Sequence, residues 1–325
     1  MSTAGANEAR RTRENRENRA PMNTGRTPVP DQENPPAGGA AARCAGIGDE
    51  AAQDLEGQLG ALRELGWHSI ELRSIGGTAL ADLTPQQVHV LADRLRQAGV
   101  RAVCLDSRIG NWARPVTTPF DTDLAELDAL LAQCELLGCR YVRVMSYPND
   151  GLSPGEWEAT VLRRLARLAR RAEAAGVTLL HENCAGWAGD DAARMLRLLR
   201  EVDSPALRLL FDTGNGIAHG YDAAALLHDI LPHVAHVHVK DACRTPHGAA
   251  YVLPGDGEAR VTDCLRTLLD AGYRGAFSLE PHLAVQPHAG LRADTDAAHL
   301  FVAAGQRLAH LLTRLQQPAP APGAP

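Results

Sequence analysis

Short runs of apolar and β-branched residues alternate with longer Ala-, Leu- and Arg-rich segments of helical period along most of this 325-residue chain. Alternation of this kind is typical of βα units, in which helices cover a parallel sheet. Eight candidate strands lie at residues 42–45, 68–73, 101–106, 140–145, 177–182, 207–212, 234–239 and 276–280. Eight helical segments follow them, at residues 49–65, 84–98, 121–137, 154–175, 190–201, 222–231, 261–271 and 295–315. The pattern therefore predicts a (β/α)8 TIM barrel, a fold of the α/β class.

The ends of the helical segments support this division into units. Glycine precedes the next strand at Gly66, Gly99, Gly138, Gly176 and Gly272, as is common just after a helix C-terminus. A doubly wound open sheet is the competing fold, but no Gly-x-Gly-x-x-Gly follows the first candidate strand. We predict one barrel domain over residues 41–317. Disordered tails are expected at 1–40 and 318–325, because their Pro-, Gly- and charge-rich sequences bury little apolar surface.

Composition argues against several classes of function. The net charge is −6 and Lys240 is the only lysine, so a nucleic-acid-binding surface is not expected. The seven cysteines form no Cys-x-x-Cys, which argues against a zinc ribbon or a disulfide framework. No apolar run approaches the roughly 18 residues of a membrane helix, and the N-terminus lacks the pattern of a secretory signal. We therefore expect a soluble, cytoplasmic protein, and leave open a homo-oligomer.

Acidic and histidine side chains stand where several candidate strands end. Glu182, Asp212, His238 and Glu280 close the fifth to eighth strands, and the carboxyl ends of barrel strands form the active-site rim. Three carboxylates packed together need a positive charge among them. A divalent cation meets that need, and carboxylate oxygens with one imidazole favour Mn²⁺, with Mg²⁺ or Co²⁺ as alternatives and zinc less favoured. The competing interpretation is four polar residues that are solvated or paired with arginines.

Six short motifs carry a resemblance to a known family. They span residues 65–72, 181–183, 211–215, 236–241, 254–258 and 278–281, and read LGWHSIEL, HEN, FDTGN, HVHVKD, PGDGE and SLEP. In this order and spacing the chain resembles the xylose isomerase-like TIM-barrel superfamily, the sugar phosphate isomerase/epimerase group, over roughly residues 42–315. The resemblance implies a metal-dependent isomerase or epimerase that acts on a small sugar, ketose or cyclitol through an enediolate.

The resemblance also implies roles for individual residues. By similarity to ketose 3-epimerases, Glu182, Asp212, His238 and Glu280 match metal ligands. Glu182 and Glu280 also match the pair of acid/base residues that remove and return a proton, and Arg244 matches a contact to a substrate oxygen.

Several further residues near the predicted rim are candidates for substrate binding. His236 lies two residues before His238 and is expected to orient it or to be a hydrogen-bonded core histidine. Lys240 is expected to contact a substrate oxygen or to pair with Asp241. Glu71 is expected to bind a substrate hydroxyl or to pair with Arg73.

Two tryptophans and one asparagine complete the predicted site. Trp112 and Trp187 follow the third and fifth strands, where an indole can stack on a sugar ring or pack within its loop. Asn215 stands where endonuclease IV-type enzymes and many ketose 3-epimerases carry histidine, so a trinuclear centre is not expected, although Asn215 can bind a hydroxyl. The alternative functions are a lyase of inosose-dehydratase type, a non-catalytic sugar-binding barrel and an endonuclease IV-like nuclease.

Overall fold

The computed structural model describes residues 39–246, 248–286, 290–293 and 296–317. Within them, eight parallel strands form one sheet: β1 Cys44–Gly46, β2 Ser69–Leu72, β3 Arg101–Asp106, β4 Tyr141–Ser146, β5 Thr178–Gly186, β6 Leu207–Asp212, β7 Val234–Val239 and β8 Phe277–Leu279. Their order is β1-β8-β7-β6-β5-β4-β3-β2. All eight predicted strands are therefore confirmed, with bounds that differ by at most a few residues.

The sheet curls until its first and last strands meet. β1 and β2 share no regular ladder in the described residues, and a single parallel bridge joins Ile47 to Glu71 at this seam. The ring is nearly closed, which confirms the (β/α)8 TIM barrel and excludes the doubly wound open sheet.

Helices lie between successive strands, as predicted. They are α1 Leu55–Leu65, α2 Pro85–Ala98, α3 Phe120–Leu137, α4 Pro154–Ala174, α5 Ala192–Val202, α6 Asn215–His219, α7 Ala223–Ile230, α8 Val261–Asp270 and α9 Ala297–Gln316. The sequence explains where α2 and α4 begin, because Thr84 and Ser153 each form a capping box ahead of a proline in the first helical turn. The short α6 was not predicted.

The first helix starts later than predicted. Residues 49–65 were expected to be helical, but α1 begins at Leu55 because Asp54 caps it by accepting a hydrogen bond from Gly57 N at 2.9 Å. Asp49 and Glu50 instead lie in a buried 3-10 turn and form ion pairs with Arg73 at 2.8 and 2.7 Å.

The main apolar core lies between the sheet and the helices, and a smaller cluster of Cys104, Leu180 and Leu210 fills part of the barrel interior. No helix among the described residues has the length and apolarity that crossing a bilayer would require. The tail predicted over residues 1–40 lies outside the described residues except for 39 and 40, and the tail over 318–325 lies wholly outside them.

In the residues that the structure describes, three hairpins extend the loops at the carboxyl ends of the strands, at the rim that holds the site. They are Ser74–Ile75 with Thr78–Ala79, Asp241–Thr245 with Gly248–Val252, and Val285–Gln286 with Leu291–Arg292. They follow β2, β7 and β8 respectively. Their strands are too short or too irregular in pattern to be predicted from periodicity.

Candidate active site

Four side chains converge at the carboxyl ends of neighbouring strands. Glu182 lies on β5, Asp212 ends β6, His238 lies on β7 and Glu280 directly follows β8. All four are buried, and one potential ligand atom from each lies within 4.8 Å of the others. The parallel register places Asp212 beside His238, and the residue before Glu280 beside the residue after His238. The structure thus brings together all four residues predicted at the rim.

The atoms that face one another suit a divalent cation. His238 Nδ1 lies 3.6 Å from Glu182 Oε1, 4.0 Å from Asp212 Oδ2 and 3.4 Å from Glu280 Oε2. His238 Nδ1 and Asp212 Oδ2 are buried and have no hydrogen-bond partner among the residues that the structure describes. Buried polar atoms are rarely left unpaired, and three carboxylate oxygens with one imidazole nitrogen form a ligand set typical of divalent metals. The residues therefore fit a metal ion.

A carboxylate beneath the site fixes the orientation of two imidazoles. Glu71 is fully buried, and its two oxygens lie 2.7 Å from His236 Nε2 and 3.0 Å from His238 Nε2. Burial raises the pKa of Glu71, but the two imidazoles outweigh it and hold the pKa well below its usual value. Glu71 thus turns His238 so that Nδ1 faces the other acids. It does not pair with Arg73, which contacts other carboxylates.

A short segment after β6 holds two of the acids. Asp212 Oδ1 accepts hydrogen bonds from the backbone N–H groups of Gly214 at 2.8 Å and Asn215 at 2.7 Å. The Asn215 side-chain amide donates to Glu182 Oε1 at 3.0 Å and to the Asn183 carbonyl at 2.9 Å. The Asn215 amide therefore binds a neighbouring carboxylate, whereas the sequence predicted a substrate hydroxyl as its partner.

Lys240 contacts two of the converging carboxylates. Its Nζ atom lies 2.7 Å from Glu280 Oε2 and 3.1 Å from Asp212 Oδ2, although only the contact to Glu280 has hydrogen-bond geometry. The alternative that Lys240 pairs with Asp241 is wrong, because Asp241 accepts backbone N–H groups of the 255–259 loop. Burial raises the pKa of Asp212 to about 6, even though the Lys240 ammonium acts to lower it.

Two arginines pair with the remaining oxygens of the glutamates. Arg73 Nη1 donates to Glu280 Oε1 at 2.9 Å, and Arg143 Nη1 donates to Glu182 Oε2 at 3.3 Å. Burial raises the pKa of both glutamates, but neighbouring positive charges outweigh it. The Lys240 ammonium helps to hold the pKa of Glu280 below its usual value, and the Arg143 guanidinium does the same for Glu182. Both carboxylates are therefore ionised at neutral pH.

A cavity of about 390 Å³ opens above the converging side chains, within the usual range of about 300–1,000 Å³ for small-molecule sites. The predicted residues that line it are Glu182, Glu280, Asn215, Lys240 and Trp112. The sequence did not single out as site residues Arg143, Met145, Cys184, His219, Tyr251 and His282, which also line it.

Two predicted substrate contacts lie elsewhere. Arg244, on the hairpin after β7, is 55% exposed and pairs with Glu258 at 3.2 Å, beside a separate, smaller pocket. Ala249, which pairs with Arg244 across the hairpin, lines the main cavity, but Arg244 itself does not. Trp187 is 3% exposed and does not line the cavity. Packing within its loop, the alternative for Trp187, agrees with this position.

His282 is the clearest of the cavity residues that the sequence did not reveal. Its Nδ1 and backbone N lie 3.1 and 3.0 Å from the Glu50 carboxylate, and its ring packs edge-on against Tyr251 at 4.9 Å. Its φ of 52° is unusual for a residue other than glycine. Its spacing of two residues from Glu280 was a usable signal, whereas nothing in the sequence pointed to Tyr251.

Comparisons with known proteins identify the family and agree with the fold. The sequence profile of a family described as xylose isomerase-like TIM barrel matches residues 59–300. Inosose dehydratase of Geobacillus kaustophilus strain HTA426 is 24% identical over 265 residues, which cover 72% of this chain and 82% of that protein. The structure of L-ribulose 3-epimerase is similar with a TM-score of 0.66 and 19% identity, covering 85% of this chain and 96% of that one. The structure of the IOLI protein, solved with bound zinc, is similar with a TM-score of 0.66 and 16% identity, covering 84% of this chain and 99% of that one.

Proposed function

This chain belongs to the xylose isomerase-like TIM-barrel family, and from that premise we propose that it is a metal-dependent enzyme that isomerises or epimerises a small sugar, ketose or cyclitol through an enediolate. The observation that carries the proposal is the convergence of Glu182, Asp212, His238 and Glu280 beneath a cavity of small-molecule size. Relatives named inosose dehydratase and L-ribulose 3-epimerase support this class of substrate.

The same four side chains would hold one divalent cation. When bound, the cation supplies Lewis acidity that makes a hydrogen beside a substrate carbonyl easier to remove. The oxygen-rich ligand set favours Mn²⁺, and Mg²⁺ and Co²⁺ are alternatives. The zinc in the similar IOLI structure adds zinc to the ions to be tested.

Glu182 and Glu280 are the proposed acid/base pair. They stand on either side of His238 in the ring of strands, so a substrate between them would present opposite faces to the two carboxylates. Both are ionised at neutral pH, so either can accept the carbon-bound proton. The other glutamate would then pass a proton taken from water to the opposite face, and the first glutamate would release its own proton to water. The carbon centre would thereby be inverted. Asp212 and His238 then serve mainly to hold the metal.

Other residues position this machinery. Glu71 and His236 would fix the His238 ring, and Asn215 would fix Glu182 through the contacts described above. Trp112, 37% exposed at the cavity wall, offers an indole face on which a sugar ring can stack.

A lyase is the second candidate, favoured by the inosose dehydratase relative. In that reaction the same glutamate removes the proton beside the carbonyl, and the neighbouring carbon then loses a hydroxyl as water. Reprotonation of the opposite face does not occur. The two reactions therefore differ in their products and not in the residues that begin them.

The test is a metal and substrate panel followed by NMR in deuterated water. Protein stripped of metal and reloaded with Mn²⁺, Mg²⁺, Co²⁺ or Zn²⁺ is incubated with ketoses, inososes and their phosphates. An epimer or isomer carrying one solvent deuteron supports the proposal, and an unsaturated or diketo product supports the lyase.

Two further results would replace the proposal. A protein that binds none of the four ions and turns over no substrate is a non-catalytic sugar-binding barrel. Cleavage of duplex DNA at an abasic site would instead identify a nuclease.

A further inference from the structure

We propose that Lys240 is a built-in counter-cation of this site, whose ammonium group a divalent cation must displace in order to bind Asp212 and Glu280. The inference rests on the proposed metal dependence and identifies what the metal competes with. Lys240 is the only lysine in the chain. It is 2% exposed and directly follows β7, two residues after His238.

The position of the ammonium is defined by the oxygens that it contacts. Three carboxylate oxygens face His238 Nδ1, namely Glu182 Oε1, Asp212 Oδ2 and Glu280 Oε2, and we call them the inner oxygens. Lys240 Nζ lies 2.7 Å from the inner oxygen of Glu280 and 3.1 Å from that of Asp212. The ammonium thus contacts two of the three oxygens that would bind a metal.

The two arginines that pair with these acids contact the other oxygens. Arg73 contacts Glu280 through Oε1, and Arg143 contacts Glu182 through Oε2. Asp212 Oδ1 accepts backbone N–H groups. The two guanidinium groups can therefore stay in place when a cation binds, whereas the Lys240 ammonium contacts the oxygens that the cation needs.

The conflict follows from the lengths of metal–ligand bonds. A divalent ion lies about 2.0–2.6 Å from a carboxylate oxygen, so an ion on the inner oxygens of Asp212 and Glu280 would lie within a few ångströms of the ammonium. Repulsion between the two cations is strong in a buried site, where water screens little. Lys240 also lines the cavity, so its side chain has open space into which it can move.

The single lysine gives a direct test on the unmodified chain. Protein labelled with ¹³C at lysine Cε has one lysine signal, that of Lys240. Metal-stripped protein is titrated with Zn²⁺, and the chemical shift of that signal is followed beside the binding isotherm from calorimetry. We expect the signal to move in proportion to occupancy and to stop moving at one equivalent. Binding with an unmoved signal would overturn the proposal and leave metal dependence intact.

The substitution Lys240→Met tests the competition quantitatively. It removes the ammonium and keeps an unbranched side chain, so the inner oxygens lose their internal cation. We expect Zn²⁺ to bind the variant at least tenfold more tightly than the wild type. The control is Arg244→Gln, which removes one positive charge from an exposed side chain and should leave the affinity unchanged.

The outcomes separate this inference from the proposed function. Tighter binding by Lys240→Met, or binding by the variant alone, supports the counter-cation. Equal or weaker binding by the variant overturns it, while metal dependence stands. Failure of Zn²⁺, Mn²⁺, Mg²⁺ and Co²⁺ to bind either protein overturns both. If the variant does not fold, the lysine signal of the wild type decides the question.

Discussion

The side-chain amide of Asn215 donates a hydrogen bond to Glu182 Oε1 at 3.0 Å, and this contact fixes one of the converging carboxylates. The backbone N–H of the same residue holds Asp212 Oδ1 at 2.7 Å. Asn215 alone therefore positions two acids that come from two different strands. Partners of this kind orient ligands and tune the affinity of a metal site.

Replacement of Asn215 by alanine should weaken metal binding. The variant keeps the backbone contact to Asp212 and loses the amide contact to Glu182, so we expect metal affinity to fall by about 10–100-fold. Calorimetric titration with Mn²⁺ measures this change. Asn149→Ala, in an exposed loop, is the matched control. Unchanged affinity in Asn215→Ala would show that Glu182 needs no such support.

The substitution Glu71→Gln tests the support beneath His238. A glutamine offers one oxygen and one N–H group where two imidazole nitrogens now meet a carboxylate. We expect the imidazole to lose its fixed orientation and metal affinity to fall by about 10–100-fold. The same titration, with circular dichroism to confirm folding, provides the measurement. A folded variant with wild-type affinity would rule out this role.

Glutamine at either proposed acid/base position should abolish most turnover. Loss of a general base typically costs about 10²–10⁴-fold in rate, and we expect that loss in kcat for both Glu182→Gln and Glu280→Gln. Turnover is measured by NMR at saturating metal, with bound metal quantified in each sample so that lost occupancy is not mistaken for lost chemistry. If both variants keep full turnover with metal bound, the assignment of these two residues is wrong.

His181 makes stability depend on pH. Both of its ring nitrogens are buried and have no hydrogen-bond partner in the described part of the chain. Burial lowers its pKa to about 4, although Glu182 acts to raise it. The unfolded chain takes up a proton near the ordinary pKa of about 6.5. The contribution of His181 to stability is therefore fully present above pH 6.5 and is lost as the pH falls from 6.5 to 4. At pH 5 the free energy of unfolding is lower by about 2 kcal/mol.

Urea unfolding of the wild type and of His181→Leu at pH 7 and pH 5 measures this contribution. Between pH 7 and pH 5 the free energy of unfolding of the wild type should fall by about 2 kcal/mol more than that of the variant. His89→Gln, on the exposed face of α2, should follow the wild type. A His181→Leu curve that falls in parallel with the wild type would assign the pH dependence to other groups.

The four converging residues could be predicted because barrel geometry makes strand ends meet. Each of Glu182, Asp212, His238 and Glu280 ends or follows an apolar run, and the period of two in a strand places such residues at one rim. The fold itself was predictable for the same reason, since each strand and helix carries its own periodicity.

Contacts made by loops could not be predicted in this way. The pairing of Arg73 with Asp49 and Glu50 depends on a 3-10 turn that the helical pattern of residues 49–65 obscured. Arg244 lies on a hairpin whose length and direction are set by tertiary packing. The contact between Lys240 and its two acids depends on side-chain torsions, which a strand pattern does not encode.

The seam of the barrel and the support of the imidazole meet in one residue. Glu71 forms the parallel bridge to Ile47 with its backbone and holds His238 with its side chain. A transient separation of the first two strands would therefore also disturb the imidazole of His238, a proposed metal ligand. Amide hydrogen exchange near Ile47 should slow when a metal ion is bound. Such a result would couple local opening of the barrel to occupancy of the site.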